Sequence, residues 1–135
     1  MLPIHSIHHI ALKTNQVERL VSFYQTVLGL TQVRIQKFPD GSVRSIWLKV
    51  GATLIMIEKS EAGELQSTSA SHSFSEDAPG IHLIALAIDE SDRMSWISHL
   101  KEHGVVVEKE TEHSVYFFDP DGNRVCLSHF SEPQH

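Results

Sequence analysis

The chain has 135 residues, 41% of them hydrophobic and 21% charged, which excludes disordered and collagen-like chains. Eleven Lys and Arg oppose seventeen Asp and Glu, and the net charge of −6 argues against a basic surface for nucleic acid or an anionic membrane. One cysteine, Cys126, excludes an internal disulfide, and the apolar runs are too short to span a bilayer. We therefore expect a cytoplasmic protein that binds neither nucleic acid nor membrane.

The first half of the chain predicts a strand, a helix and three further strands. Residues 7–14 form an apolar, β-branched run that ends at Asn15, a residue type that caps helices. Apolar residues at helical spacing follow, and Gly29 ends the helix. These residues are Val17, Leu20, Val21, Tyr24, Val27 and Leu28. Strands are then predicted over residues 31–38, 43–50 and 53–58, with a turn at Pro39-Asp40-Gly41.

The second half predicts the same order of elements. Its first strand begins at residue 81 and ends at Asp89, the second candidate helix cap. Met94, Ile97 and Leu100 mark the helix, which Gly104 ends. Strands are predicted over residues 105–108, 114–118 and 124–129.

The two halves also repeat each other in sequence. Residues 7–12 and 81–86 are identical at five of six positions, and matching Gly51 to Gly122 aligns Ile55 with Cys126. The sequence thus predicts one α+β domain, residues 1–135, built from two tandem βαβββ modules over 5–58 and 81–130. The serine-rich residues 59–80 between them are either a flexible tether or a lid that closes His72 and Phe74 over a site.

The modules begin with His9-Ile10-Ala11-Leu12 and end with Asp119-Pro120-Asp121-Gly122-Asn123. In this order they resemble the vicinal oxygen chelate superfamily, which includes glyoxalase I, fosfomycin and bleomycin resistance proteins, and extradiol dioxygenases. The resemblance runs from about Ile7 to about Phe130. It implies curved mixed sheets around a cup that takes a small molecule, and commonly a homodimer. Because the superfamily hosts many reactions, it implies no particular substrate.

The resemblance further implies four positions for one divalent cation, usually two His and two Glu. They fall on His9, Ile55, Leu83 and Cys126. Only His9 keeps a ligand of the usual type, so we predict no standard metal site and no cofactor.

Two altered metal sites are alternatives to this prediction. Strand alternation directs His82 and Glu58 away from the cup, but a β-bulge would turn His82 inward. A soft metal could also be held by His9 and Cys126, with His72 or His113 as a third ligand.

The resemblance and strand alternation together predict which residues line the cup. The set beside His9 is Ile7, Ala11, Thr53, Ile55, Ile57, Leu83, Ala85, Ala87, Arg124, Cys126 and Ser128. We predict ligand contacts at His9, Ile55, Leu83, Arg124 and Cys126. Arg124 either holds an anion or is a solvated arginine at the rim, and for Trp47 and Tyr116 we favour packing in the core.

The predicted function is binding of a small, apolar or weakly anionic molecule without the standard metal, in the manner of bleomycin resistance proteins. The alternative is a lyase or isomerase of the glyoxalase type, or a dioxygenase-like enzyme, that uses an altered metal set. In such an enzyme His9 could serve as the general base, because imidazole exchanges protons near neutral pH. A third interpretation is an interaction module without a small ligand.

Overall fold

A computed structural model describes residues 1–61 and 77–131. The chain divides into two compact units, Met1–Ala70 and Ser71–His135. Most of the predicted connection 59–80, with the lid residues His72 and Phe74, lies outside the described residues. None of the helices in the described part is long and apolar enough to cross a membrane.

Within residues 1–61, the first unit contains one four-stranded mixed sheet and one helix. Its elements are β1 (His9–Thr14), α1 (Val17–Ser22), β2 (Thr31–Lys37), β3 (Val43–Val50) and β4 (Thr53–Lys59). The sheet order is β1-β4-β3-β2, with β1 parallel to β4 and the other pairs antiparallel. α1 continues as a π-helical segment over Phe23–Val27 and packs on β3 and β4.

The second unit repeats this plan. Its elements are β5 (Ile84–Ala87), a 3-10 turn (Glu90–Asp92), α2 (Arg93–Glu102), β6 (Lys109–Glu110), β7 (Ser114–Phe118) and β8 (Arg124–Ser128). The sheet order β5-β8-β7-β6 matches that of the first sheet, and β5 is parallel to β8. The predicted pair of βαβββ modules is therefore confirmed.

The ends of the helices agree with the sequence, but their starts do not. Gly29 and Gly104 both have φ +73°, a left-handed conformation that glycine adopts without steric cost and that ends a helix. The predicted cap at Asn15 is wrong, because Gln16 takes the N-cap position of α1. Asp89 does take the N-cap position of the 3-10 turn, but its side chain makes no cap bond. The Thr14 hydroxyl accepts the Gln16 N–H at 3.1 Å, and α1 begins one residue later than predicted.

Three strands begin later than the sequence predicts. β1 starts at His9 rather than at residue 7. β5 starts at Ile84 rather than at residue 81, and β6 starts at Lys109 rather than at residue 105. The β6 prediction is wrong because Val105 still belongs to the end of the helix, where its N–H donates to Leu100 O at 2.9 Å. The contact with β7 begins only when the Glu108 N–H donates to Tyr116 O at 2.8 Å.

Candidate functional site

One face of the first sheet, which we call the His9 face, collects polar and half-buried side chains. Ala11 lies opposite Met56 in β4, and Met56 lies opposite Trp47 in β3. Directly paired residues point to the same side of a sheet, so the ladder defines the whole face. It consists of His9, Ala11 and Lys13 in β1, Leu54, Met56 and Glu58 in β4, Ser45, Trp47 and Lys49 in β3, and Thr31, Arg34 and Gln36 in β2.

His9 is exposed on this face and rests against an aromatic neighbour. Its ring centroid lies 4.9 Å from that of Trp47, and its Nδ1 lies 2.9 Å from Nδ1 of His8. The Leu54 N–H donates to His8 O at 3.1 Å, which ties this end of β1 to β4. His9 is thus accessible on the edge of a half-buried aromatic surface.

Trp47 does not pack in the core, contrary to our prediction. The hairpin pairing places it on the His9 face, where it is half-buried. Its indole Nε1 is buried and has no hydrogen-bond partner within the described residues. Buried donors are nearly always paired in native proteins, so this N–H calls for a specific explanation.

Thr53, Ile55 and Ile57, which alternate along β4 with the residues of the His9 face, point to the opposite side of the sheet. Ile55 pairs with Ile10 and Leu48, and it is 1% exposed on the face where α1 packs. Our placement of Thr53, Ile55 and Ile57 beside His9 is therefore wrong. The predicted ligand contact at Ile55 is wrong for the same reason, since its side chain is in the core.

The cause of this error is the length of one turn. Trp47 and Tyr116 are equivalent across the repeat, and so are Met56 and Cys126. The turn between β7 and β8 is therefore one residue longer than the turn between β3 and β4. Matching Gly51 to Gly122 instead assumes that it is two residues longer. A shift of one residue moves every side chain of a strand to the opposite face.

Glu58 lies on the His9 face, although we predicted the opposite face. It pairs with Lys13 and Ser45, and its Oε1 lies 3.9 Å from Nζ of Lys13. Leu54, Met56 and Glu58 are thus the β4 residues of this face that sequence reasoning missed. The sequence does show that the β3–β4 and β7–β8 turns differ in length. Only the strand pairing shows which residues of the two halves are equivalent.

The second sheet has an equivalent face, which we call the Cys126 face. Ala85 lies opposite Cys126, and Cys126 lies opposite Tyr116, so Tyr116 is on this face rather than in the core. The face consists of Ala85, Ala87, Lys109, Ser114, Tyr116, Phe118, Arg124, Cys126 and Ser128. The predicted residues of β5 and β8 therefore share one face as expected, and Leu83 lies half-buried just before β5.

Arg124 is the centre of the Cys126 face and is only 5% exposed, so a solvated rim arginine is excluded. Its guanidinium carbon lies 4.5 Å from the Tyr116 ring centroid, a cation–π geometry. Its Nε donates to Glu108 Oε2 at 3.3 Å, and its Nη1 lies 2.7 Å from Nε2 of His82. A buried cation requires such partners, and here a carboxylate, an imidazole and an aromatic ring supply them.

His82 contacts the Cys126 face without any β-bulge. The prediction that alternation turns it away is wrong, because residues 81–83 precede β5 and are outside the ladder. Arginine can only donate, so Nε2 of His82 accepts the hydrogen bond. The lone pair that would bind a metal is therefore engaged by Arg124.

Cys126 is 3% exposed, and burial raises the pKa of its thiol. The charge of Arg124 and a hydrogen bond with Ser114 oppose this shift but are smaller. Because metals bind the thiolate, a thiol kept protonated is a poor ligand.

These residues do not fit the cation that the superfamily resemblance implies. Leu83 has no lone pair, the position equivalent to Cys126 in the first sheet holds the Met56 thioether, and Cys126 favours the protonated form. Within residues 1–61 and 77–131, no three His, Cys, Asp or Glu side chains are grouped closely enough to hold a metal ion. A divalent cation bound by two His and two Glu therefore has no matching donor set here.

Two four-stranded mixed sheets built from tandem βαβββ modules define a glyoxalase-like fold. The model of the Glyoxalase/Bleomycin resistance protein/Dioxygenase superfamily matches residues 6–127, and the chain belongs to this superfamily.

Individual relatives agree with this assignment. The chain is 27% identical over 132 residues to metallothiol transferase FosB of Staphylococcus epidermidis, covering 93% of this chain and 82% of that protein. It is similar in fold to a variant of fosfomycin resistance protein FosX from Listeria monocytogenes, solved with Mn(II) and 1S,2S-dihydroxypropylphosphonic acid (TM-score 0.74, 16% identity, 96% and 95% coverage). It is also similar to lactoylglutathione lyase from Agrobacterium tumefaciens (TM-score 0.64, 22% identity, 95% and 96% coverage).

Proposed function

We propose that this protein binds a small, apolar or weakly anionic molecule through the His9 face, without a divalent metal in the superfamily position. The observation that carries the proposal is the indole N–H of Trp47, which lies beside the exposed His9 and has no hydrogen-bond partner among residues 1–61 and 77–131. Leaving a buried donor unpaired costs about 1–3 kcal/mol. An oxygen of the ligand that accepts this hydrogen bond removes the cost, while the Trp47 and Met56 side chains offer apolar contact.

The Cys126 face supports a ligand of low charge. Arg124 provides a fixed positive charge, but Glu108 already neutralises much of it. Lys109, which pairs with Tyr116 on the same face, adds a second positive charge, so Arg124, Lys109 and Glu108 together carry a net charge of +1. A single positive charge suits a weakly anionic group better than a dianion. We therefore propose Leu83, Arg124 and Cys126, with Tyr116 beside them, as the ligand contacts of the second unit taken by itself.

The proposal predicts a ligand that binds equally well in the presence of a chelator. Small carboxylic and phosphonic acids, fosfomycin included, are screened by thermal shift in EDTA, and the best binder is measured by calorimetry. We expect Trp47→Phe to weaken this binding by about five- to tenfold, since about 1 kcal/mol follows from one lost hydrogen bond. Trp96→Phe, on α2 of the other unit, is the matched control and should bind normally.

Two results would contradict this function. In one, EDTA abolishes all binding and Mn²⁺ restores it. In the other, the Trp47 and Trp96 variants bind equally well, in which case the unpaired indole has no role in recognition.

The alternative, a lyase, isomerase or related enzyme, is favoured by the 27% identity to a metallothiol transferase together with the presence of His9. It requires turnover of fosfomycin with a thiol, or of a hemithioacetal, in Ni²⁺, Zn²⁺, Co²⁺ or Mn²⁺. Loss of that turnover in His9→Gln would assign His9 a catalytic role. Absence of turnover with all four metals would leave the binding protein as the better description.

We also propose that the protein is a homodimer and acts in the cytoplasm. The superfamily resemblance supports dimerisation, and the single cysteine is consistent with a reducing compartment.

A further inference from the structure

We propose that His99 and His103 on α2 form a two-histidine binding site for a divalent transition metal such as Cu²⁺, Ni²⁺ or Zn²⁺. The two residues are four positions apart, and side chains at this spacing lie on the same side of a helix. Their ring centroids are 4.3 Å apart with an interplanar angle of 48°. This site is separate from the His9 and Cys126 faces and does not depend on the function proposed above.

The ring separation suits a shared metal ion. Metal–nitrogen bonds of about 2.0–2.1 Å place the two donor nitrogens of one ion no more than about 4.2 Å apart. Ring centroids 4.3 Å apart keep both imidazoles within reach of one ion. His103 is exposed and His99 half-exposed, so an ion can approach from solvent.

The backbone orients His103 for this role. Its Nδ1 lies 2.9 Å from His99 O, and a carbonyl only accepts, so Nδ1 carries the proton. In the neutral ring this leaves Nε2 with its lone pair as the metal-binding atom. A backbone carbonyl that holds the second ring nitrogen is the usual outer partner of a metal-bound histidine.

The surroundings favour a cation as well. His103 directly follows α2 as its C-terminal cap residue, and the negative end of the helix dipole favours a cation there. The segment His99-Leu100-Lys101-Glu102-His103 also has the spacing H-x-x-E-H, in which the two histidines of some zinc enzymes bind the metal. We infer metal binding only, because no third His, Cys, Asp or Glu joins the pair within the described chain.

Tryptophan fluorescence tests the site with Cu²⁺ alone as the probe. The ring centroid of Trp96 lies 5.5 Å from that of His99, so an ion on the pair should quench its emission. Trp47→Phe removes the other tryptophan, whose ring lies beside His9. In this background we expect saturable quenching, and an additional His103→Gln should weaken it at least about tenfold, the smallest effect of losing even an outer metal partner.

His8→Gln in the same background is the matched control, because it removes an exposed histidine of the other unit and should leave the quenching unchanged. A second measurement uses the chain without the tryptophan change. Zn²⁺ should raise its Tm in a saturable way, and His103→Gln should abolish the rise. Equal Cu²⁺ affinity with and without His103, or no saturable response to either metal, would overturn the site.

Discussion

Arg124 shows how a single buried charge organises its surroundings. A guanidinium that is 5% exposed loses most of its hydration, and this loss is offset by Glu108, His82 and the Tyr116 ring. The three partners come from different segments of the second unit, so the arginine ties them together. Arg124 therefore helps to shape the Cys126 face and also provides its positive charge.

Cys126, also at the residue scale, makes the stability of the chain depend on pH. Its pKa is raised in the folded state by burial, so the unfolded chain loses the thiol proton first as the pH rises. The stabilisation is complete below the ordinary thiol pKa of about 8.5 and is lost as the pH rises through the folded value. We expect the native chain to lose more unfolding free energy than Cys126→Ala between pH 7 and pH 10, measured by urea denaturation. Equal losses would show that the thiol ionises as easily in the folded chain.

At the scale of the element, the pairing of β1, β3 and β4 decides which residues can meet a ligand. Ile55 and Met56 are neighbours in sequence, yet one is fully buried and the other lies on the His9 face. The two side chains are similarly hydrophobic, so their chemistry does not show which one packs in the core and which one lies on the His9 face. The ladder alone assigns them, since alternation is strict within a paired strand.

The two neighbouring residues give a direct test of this pairing. We expect Ile55→Ala to cost about 2–5 kcal/mol of stability, because it opens a cavity in a packed core. Met56→Ala should cost much less, since the side chain is half-buried, and should instead weaken ligand binding. Urea unfolding of the two variants against the native chain measures the difference. The reverse order of stabilities would place Ile55 on the ligand side and contradict the pairing.

At the scale of the whole molecule, two short segments with the same plan form two equivalent sheets. Both helices end at a glycine with φ +73°, and both sheets have the parallel pair at the same position in the strand order. The units differ in how their helices are buried, since α1 and its π-helical extension bury several apolar residues while α2 buries only Leu100 among the described residues. The repeat thus preserves the sheets more closely than the helices.

The second unit leaves large apolar side chains in water, and this favours association. Ile81 is 99% exposed and Val106 is 80% exposed. Burying such groups between two copies would be favourable, and two-fold dimers are the commonest assemblies. We expect light scattering to give about twice the chain mass of 15.2 kDa. A particle of single-chain mass across the micromolar range would contradict the proposed homodimer.

The sequence by itself determined the fold. Alternating and helical apolar patterns, two helix-ending glycines and an internal repeat were enough for the order of elements, because these signals are local or recur at a fixed offset. His9 and the residues of β5 and β8 were also placed correctly, since they needed only alternation within one strand. The function and ligand contacts assigned to them remain proposals.

Only the tertiary structure decided the faces of β3 and β4, the aromatic partner of His9 and the contact between His82 and Arg124. These depend on the length of a turn and on where the ladder starts, and a difference of one residue reverses the direction of a side chain. The amino-acid composition of a strand does not reveal a shift of one residue. The hydrogen bonds between the strands reveal it, because each bond fixes which residues stand opposite each other.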